Sequence, residues 1–134
     1  MSWFSGKRKK PLILHIDDSE DVLLYTNMQL KSLGYEALMC LNALEGLKIA
    51  EDKQPDLILL DAQMPDMDGY KACWQLKSNE KTKQIPIIMA TLEDEMKHVE
   101  KAMAFGAVGY LLKPLNKDRL QVKIVETLKP PPGA

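Results

Sequence analysis

Polar residues that can support chemistry directly follow four of the short apolar runs in the sequence. They are two adjacent acids, a third acid, a hydroxyl and an amine: Asp17, Asp18, Asp61, Thr91 and Lys113. Three carboxylates in one crevice repel each other, and they stay ionised only when a cation joins them. Oxygen ligands alone favour Mg²⁺ over zinc, and a Mg²⁺ held by few carboxylates keeps open positions for phosphate oxygens. With a lysine charge, a hydroxyl donor and a carboxylate nucleophile, the set is typical of phosphoryl transfer.

The elements that must bring these residues together are indicated by five apolar runs that alternate with amphipathic stretches. The runs are Leu12–Ile16, Tyr35–Leu41, Leu57–Leu60, Ile85–Ala90 and Val108–Leu112. This alternation predicts an α/β fold, (βα)5, with right-handed crossovers and a doubly wound parallel sheet. Five strands favour the flavodoxin-like order 2-1-3-4-5, with the first, third and fourth runs buried on both faces and the second at an edge.

The predicted strand order explains how the polar residues meet. Ligands of open α/β sheets bind beyond the carboxyl ends of the strands. Because the first and third strands are neighbours, Asp17 and Asp18 converge with Asp61, which the buried third strand places at the floor of a crevice. Thr91 and Lys113 flank the acids from the fourth and fifth strands. Each residue alone also fits a helix cap or a surface position, but five suitable residues at one edge favour a site.

The helices are marked by residues at their ends. Ser19 is suited to cap the first helix, and Gly34 is suited to end it. The residues of this helix expected on the buried face are Val22, Tyr25, Leu30 and Leu33. Asp66 and Asp68 are expected as first-turn acids of the third helix, where they would favour its positive end.

Length and charge favour one domain without a nucleic-acid or membrane role. The chain has 134 residues and a net charge of −1. We divide it into a basic N-terminal arm (residues 1–10), one domain (residues 11–128) and a proline-rich tail or linker (residues 129–134). The near-neutral charge and the lack of a basic recognition helix argue against direct nucleic-acid binding. No apolar stretch approaches the length of a membrane span, so we expect no membrane insertion and a cytoplasmic location.

Four segments of the chain resemble a known family. They are "ILHIDDS", "PDLILLDAQMPDMDG", "IPIIMAT" and "GAVGYLLKPL". In this order they resemble the motif regions of response-regulator receiver domains, the phospho-acceptor modules of two-component signalling. The match covers about residues 11–128, so this part is identified as a receiver domain with the flavodoxin-like receiver fold.

The resemblance implies a role for each polar residue. Asp61 matches the phosphorylated residue, Thr91 and Lys113 match the hydroxyl and the lysine that contact the phosphoryl group, and Tyr110 matches the aromatic switch residue. The Mg²⁺ ligands that it implies are Asp17, Asp18, Asp61 and the main-chain carbonyl of Gln63. The resemblance also implies a cis peptide bond before Pro114.

The family mechanism names partners and an output. A sensor histidine kinase or histidine phosphotransfer protein offers a phosphohistidine, and Asp61 attacks the phosphorus. Thr91 and Tyr110 then move, and the face of the fourth helix, fifth strand and fifth helix changes for a downstream target protein or a separate output domain. Such a domain catalyses only its own phosphorylation and dephosphorylation and is not otherwise an enzyme. A phosphorylation-dependent dimer is also compatible with the family.

The chain departs from the family pattern near the site. Leu92 stands where a small residue is usual, and it is expected to narrow access to Asp61. Ala62 is smaller than the usual aliphatic residue, and Gln63 and Glu93 occupy positions that tune dephosphorylation.

Other function classes fit less well. A haloacid-dehalogenase-type phosphatase needs a second Asp two residues after the nucleophile, where Gln63 cannot transfer protons. A calcium loop aligned on Gly69 places Met64 and Gln75 at ligand positions, so it fails. A receiver-like interaction module that works without phosphorylation remains an alternative.

Overall fold

The computed structural model describes residues 10–92 and 96–128. The predicted basic arm except Lys10, residue Glu93 and the predicted tail (129–134) lie outside the described residues. Within the ranges described, no helix has both the length and the apolar character needed to cross a membrane.

Strands and helices alternate along the chain as the sequence predicts. The strands are β1 (Leu12–Ile16), β2 (Glu36–Cys40), β3 (Leu57–Asp61), β4 (Ile87–Thr91) and β5 (Gly109–Leu112). The helices are α1 (Glu20–Ser32), α2 (Ala43–Lys53), α3 (Gly69–Ser78), α4 (Met96–Ala104) and α5 (Lys117–Leu128). All strand pairs are parallel, in the order β2-β1-β3-β4-β5. The predicted doubly wound fold and its strand order are confirmed.

The central strands are apolar at nearly every position because helices cover both faces of the sheet. Every residue of β1, β3 and β4 is buried. Alternate side chains of β3 enter two different core clusters: Ile58 and Leu60 pack toward α2, α3 and α4, and Leu57 and Leu59 pack toward α1 and α5. The edge strand β2 is mostly half-buried or exposed, as its more alternating sequence predicts.

The buried face of α1 differs from the predicted one. Tyr25 is 56% exposed, and the buried residues of this helix are Leu23, Thr26, Gln29 and Leu30. Gln29 is accommodated because its side-chain amide donates a hydrogen bond of 2.9 Å to the main-chain oxygen of Leu115. An amide group that donates such a bond can lie on the inner face of a helix. Leu30 is buried as predicted, Val22 and Leu33 are half-buried, and the apolar pattern therefore identifies this face only in part.

The ends of α1 follow the sequence. The Ser19 hydroxyl accepts a hydrogen bond of 3.3 Å from the Val22 N–H and caps the helix. Gly34 follows the helix with φ +95°, a backbone conformation that side chains rarely adopt. The short connection from β1 to α1 therefore places Asp17 and Asp18 between a buried strand end and a helix N-terminus.

Candidate functional site

The three acids that follow β1 and β3 lie together at the carboxyl edge of the sheet. Ile16 is paired with Leu60, so the next residues of the two strands, Asp17 and Asp61, stand side by side. Both are buried, whereas Asp18 is exposed. One carboxylate oxygen from each acid lies within 4.8 Å of the other two. The arrangement is a cluster of negative charge with one side open to solvent.

Lys113 joins two of these acids. Its Nζ lies 2.7 Å from Asp17 Oδ2 and 3.0 Å from Asp61 Oδ1. The lysine follows β5, and its main-chain N–H donates a hydrogen bond of 2.7 Å to the Thr91 oxygen at the end of β4. The Lys113–Pro114 peptide bond is cis, as expected. The ammonium group therefore reaches across the ends of β4 and β3 to β1.

The surroundings of Asp61 disfavour the ionised form of its carboxyl group. Burial raises the pKa of Asp61 from 3.8 to about 6, and the hydrogen bond from Lys113 opposes this rise while the Asp17 charge adds to it. Burial also disfavours the charged form of Lys113, but its hydrogen bonds to Asp17 and Asp61 outweigh burial and raise the pKa of the lysine. Burial lowers the pKa of the neighbouring His15 to about 4, so that imidazole is neutral at pH 7.

The loop from β3 to α3 (residues 62–68) follows Asp61 closely. The Gln63 N–H donates a hydrogen bond of 3.3 Å to Asp61 Oδ1. Gly69 returns to the end of β3, and its N–H donates a hydrogen bond of 3.0 Å to the Ala62 oxygen. A Cβ atom at Gly69 would collide with the main-chain oxygen of Asp61 and would lie 2.7 Å from the Ala62 Cα. Only glycine allows this close approach of the two backbones.

The remaining predicted site residues lie on the neighbouring strands. Thr91 is the last residue of β4 and is 2% exposed. Tyr110 lies in β5, is half-buried and contributes to a surface cavity of about 340 Å³ together with Val99 and Arg119. Leu92, which was expected to narrow access to Asp61, is 79% exposed. Its expected effect on access to Asp61 stays a prediction.

The sequence predicts Asp66 and Asp68 in the first turn of α3, but this prediction is wrong: both residues precede the helix, which begins at Gly69. Asp68 precedes α3 as its N-cap and accepts a hydrogen bond of 2.7 Å from the Tyr70 N–H. Asp66 bonds to a different helix: its carboxylate oxygens accept hydrogen bonds of 3.2 Å from the Ala43 N–H and 3.0 Å from the Leu44 N–H. The position of Asp68 directly before a helix was a local signal for an N-cap. The contact of Asp66 with α2 had no local signal.

The chemistry of the donor set fits a hard divalent cation. The cluster offers carboxylate oxygens from Asp17, Asp18 and Asp61 on a half-open site. Burial and, to a smaller extent, the Asp17 charge raise the pKa of Asp61 although Lys113 opposes them, so a cation bound here would favour the ionised carboxylate. Oxygen ligands and room for water suit Mg²⁺ rather than a metal that prefers sulfur or nitrogen.

Comparison with known proteins agrees with this geometry. The family model described as "Response regulator receiver domain" matches residues 13–125. The DNA-binding dual master transcriptional regulator RpaA of Synechocystis sp. is 30% identical over 119 residues, which make up 89% of this chain and 49% of RpaA. The chain spans about half the length of the first curated relatives that it matches.

Solved structures show the same architecture. The chemotaxis protein CheY4 of Vibrio cholerae has a TM-score of 0.84 and 28% identity, with 89% of this chain and 99% of that chain covered. The receiver domain of the sensor histidine kinase PA1611 from Pseudomonas aeruginosa has a TM-score of 0.82 and 27% identity, with 89% of this chain and 98% of that chain covered. In the PA1611 structure a magnesium ion is coordinated in the active-site cleft.

Proposed function

Because the chain belongs to the response-regulator receiver family, we propose that it is a phospho-acceptor module in which Asp61 takes a phosphoryl group in a Mg²⁺-dependent reaction. The observation that carries this proposal is the surrounding of Asp61. This carboxylate ends a buried strand, accepts a hydrogen bond from Lys113 and lies within 4.8 Å of oxygens of Asp17 and Asp18. A nucleophile, a fixed positive charge and a cation site thus share one crevice.

The reaction needs a donor with a good leaving group. An Asp61 oxygen attacks the phosphorus of a phosphohistidine, the P–N bond breaks, and the imidazole leaves with the bonding electron pair. The product is a mixed anhydride between the Asp61 carboxyl and the phosphoryl group. The residues that would hold Mg²⁺ are Asp17, Asp18, Asp61 and the main-chain carbonyl of Gln63. When bound, the ion neutralises charge on the phosphoryl oxygens.

Lys113 and Thr91 are suited to sense the new group. The Lys113 ammonium already contacts Asp61 Oδ1, so it is placed to follow charge that moves onto the phosphoryl oxygens. Thr91 ends the strand next to β3 and is proposed to donate its hydroxyl to a phosphoryl oxygen. Tyr110 borders a cavity between α4 and α5. Movement of the Tyr110 ring into this cavity would change the shape of the α4-β5-α5 face. We propose that a partner reads this change.

The proposed donor is a sensor histidine kinase or a histidine phosphotransfer protein. The helix nearest to Asp17 and Asp18 in sequence is α1, and three of its large apolar residues are exposed: Leu24, Tyr25 and Met28. An apolar helix face beside the crevice offers contact area to a protein that brings a phosphohistidine to Asp61. The partner that recognises the changed α4-β5-α5 face is proposed to be a separate protein, a further domain or a second copy of the chain. Neither catalysis on outside substrates nor direct nucleic-acid binding is proposed, and the cytoplasmic location stays a prediction.

A receiver-like module that works without phosphorylation is the alternative. Leu92 is the residue that favours it, because a large side chain next to Thr91 is expected to narrow the crevice. This side chain is 79% exposed, and its effect on entry to the crevice stays a prediction. Phosphorylation is the proposed function because three acids and Lys113 meet in one crevice, and a negative experiment would favour the uncoupled module.

The test is the intact mass of the protein after incubation with acetyl phosphate and Mg²⁺. We expect the mass of one phosphoryl group to be added to the natural chain. The gain should be absent with EDTA and absent in Asp61→Asn, which lacks the nucleophile. If acetyl phosphate and a panel of phosphohistidine donors all fail to modify the natural chain, the proposal is wrong and the constitutive binding module is favoured.

A further inference from the structure

The acidic loop after β3 is tied to a helix that is distant in the sequence. Asp66 lies in the middle of residues 62–68, and its two carboxylate oxygens accept hydrogen bonds from the first two N–H groups of α2, those of Ala43 and Leu44. These N–H groups have no partner within the helix itself. The backbone N–H groups of Leu44 and Ala43 lower the pKa of Asp66, with the largest contribution from Leu44, so the bonds favour its ionised form.

The two ends of the same loop are held by other contacts. At its start, Gln63 donates its N–H to Asp61 Oδ1. At its end, Asp68 caps α3, and the Gly69 N–H bonds to the Ala62 oxygen. Asp66 therefore adds an anchor on a third element, at the point of the loop between these two ends.

Gln63 lies between Asp61 and the Asp66 anchor. Its N–H donates a hydrogen bond to the nucleophile Asp61. Its carbonyl is the one expected Mg²⁺ ligand that belongs to the main chain rather than to a side chain. A carbonyl ligand can be positioned only by fixing the backbone that carries it. Loss of a group that orients a metal ligand without contacting the metal commonly weakens metal binding by about 10- to 100-fold.

We propose that Asp66 is a positioning residue of the cation site, and that its bonds to α2 hold the loop so that Gln63 can contribute to Mg²⁺ binding. The inference rests on the proposed function, because Mg²⁺ and the Gln63 carbonyl enter through it. Asp66 itself contacts neither the acids of the cluster nor the phosphoryl donor in this role. Its effect reaches the site only through the backbone of residues 62–68.

A second residue at the same helix end, Asn42, provides a control that distinguishes positioning of the loop from stabilisation of α2 alone. Asn42 is the N-cap of the same helix, and its Oδ1 accepts a hydrogen bond of 2.9 Å from the Glu45 N–H. Loss of either side chain removes capping bonds from the same helix end. Only loss of Asp66 also releases the loop that carries Gln63.

The experiment measures Mg²⁺ binding by isothermal titration calorimetry in the natural chain, Asp66→Ala, Asp66→Asn and Asn42→Ala. Thermal unfolding in EDTA is recorded for each, and we expect the two alanine variants to lose similar stability. We expect Asp66→Ala to bind Mg²⁺ about 10-fold more weakly than the natural chain. Asn42→Ala should stay within about twofold of it, because the loop is untouched. Asp66→Asn should fall between, since an amide keeps one of the two acceptor oxygens.

The inference is overturned if Asp66→Ala binds Mg²⁺ within twofold of the natural chain, or if Asn42→Ala weakens binding as much as Asp66→Ala does. It is also overturned if the natural chain binds no Mg²⁺. Phosphorylation is scored separately by intact mass. If the natural chain takes no phosphoryl group but Asp66→Ala alone binds Mg²⁺ weakly, the positioning role stands and the proposed function fails.

Discussion

The Asp61 carboxylate should make the metal-free protein less stable at neutral pH, and Asp61→Asn tests this directly. Burial, with the Asp17 charge acting in the same direction, raises the pKa of Asp61 from 3.8 to about 6. The folded protein therefore holds this proton more tightly than the unfolded chain. Stability falls wherever the folded state binds more protons than the unfolded state. The contribution of Asp61 thus decreases as the pH rises from about 4 to above 6.

The size of the effect follows from the shift. A difference of about two pKa units corresponds to at most about 3 kcal/mol at pH 7. The crevice is open on the Asp18 side, so solvent screening should reduce this to about 1.5 kcal/mol. Asparagine has nearly the same shape as aspartate and keeps an oxygen that can accept the bond from Lys113. Asp61→Asn should therefore be more stable than the natural chain by about 1.5 kcal/mol at pH 7, or about 5 °C in Tm.

The assay is urea unfolding followed by circular dichroism in EDTA at pH 7 and at pH 4. At pH 4 the stability difference should shrink to a few tenths of a kcal/mol, because Asp61 is then largely protonated in the folded state. Asp52→Asn is the matched control: the change is chemically the same, but the Asp52 side chain is 76% exposed. The reasoning is refuted if Asp61→Asn is no more stable than the natural chain at pH 7, or if its gain is equal at both pH values.

Two further substitutions test contacts around the same carboxylate. Lys113→Met should destabilise the protein by about 2 kcal/mol at pH 7 in EDTA, because it leaves two buried acids without their shared cation. Urea unfolding should show a smaller loss of stability at pH 4. An equal loss at both pH values would contradict the ion-pair explanation. Gly69→Ala should cost about 2 to 3 kcal/mol, because the added methyl group collides with the backbone of Asp61. For comparison, Gly34→Ala meets no atom within 4 Å and tests only the cost of a positive φ; if Gly69→Ala cost less than Gly34→Ala, the close approach would not be the reason for glycine at position 69.

The order of the elements and the edge at which the acids gather follow from local patterns in the amino-acid sequence. Apolar runs of strand length separated by amphipathic stretches are local patterns, and a parallel sheet brings the carboxyl ends of all its strands to one edge. For this reason Asp17, Asp18 and Asp61 could be placed together before any contact was known. The helix cap Ser19 was equally local, since a capping side chain bonds within its own first turn.

Contacts between segments that are far apart in the chain could be read only from the folded molecule. The bonds of Asp66 to α2 span more than twenty residues, and an acid in a loop carries no mark of the helix that it will cap. On the inner face of α1, the Gln29 amide donates its bond to the Leu115 oxygen, which lies 86 residues further along the chain. The reach of Lys113 to both Asp17 and Asp61 likewise depends on how the three strand ends are staggered. Propensity and periodicity describe each segment alone, whereas these bonds form only after the sheet has set the segments side by side.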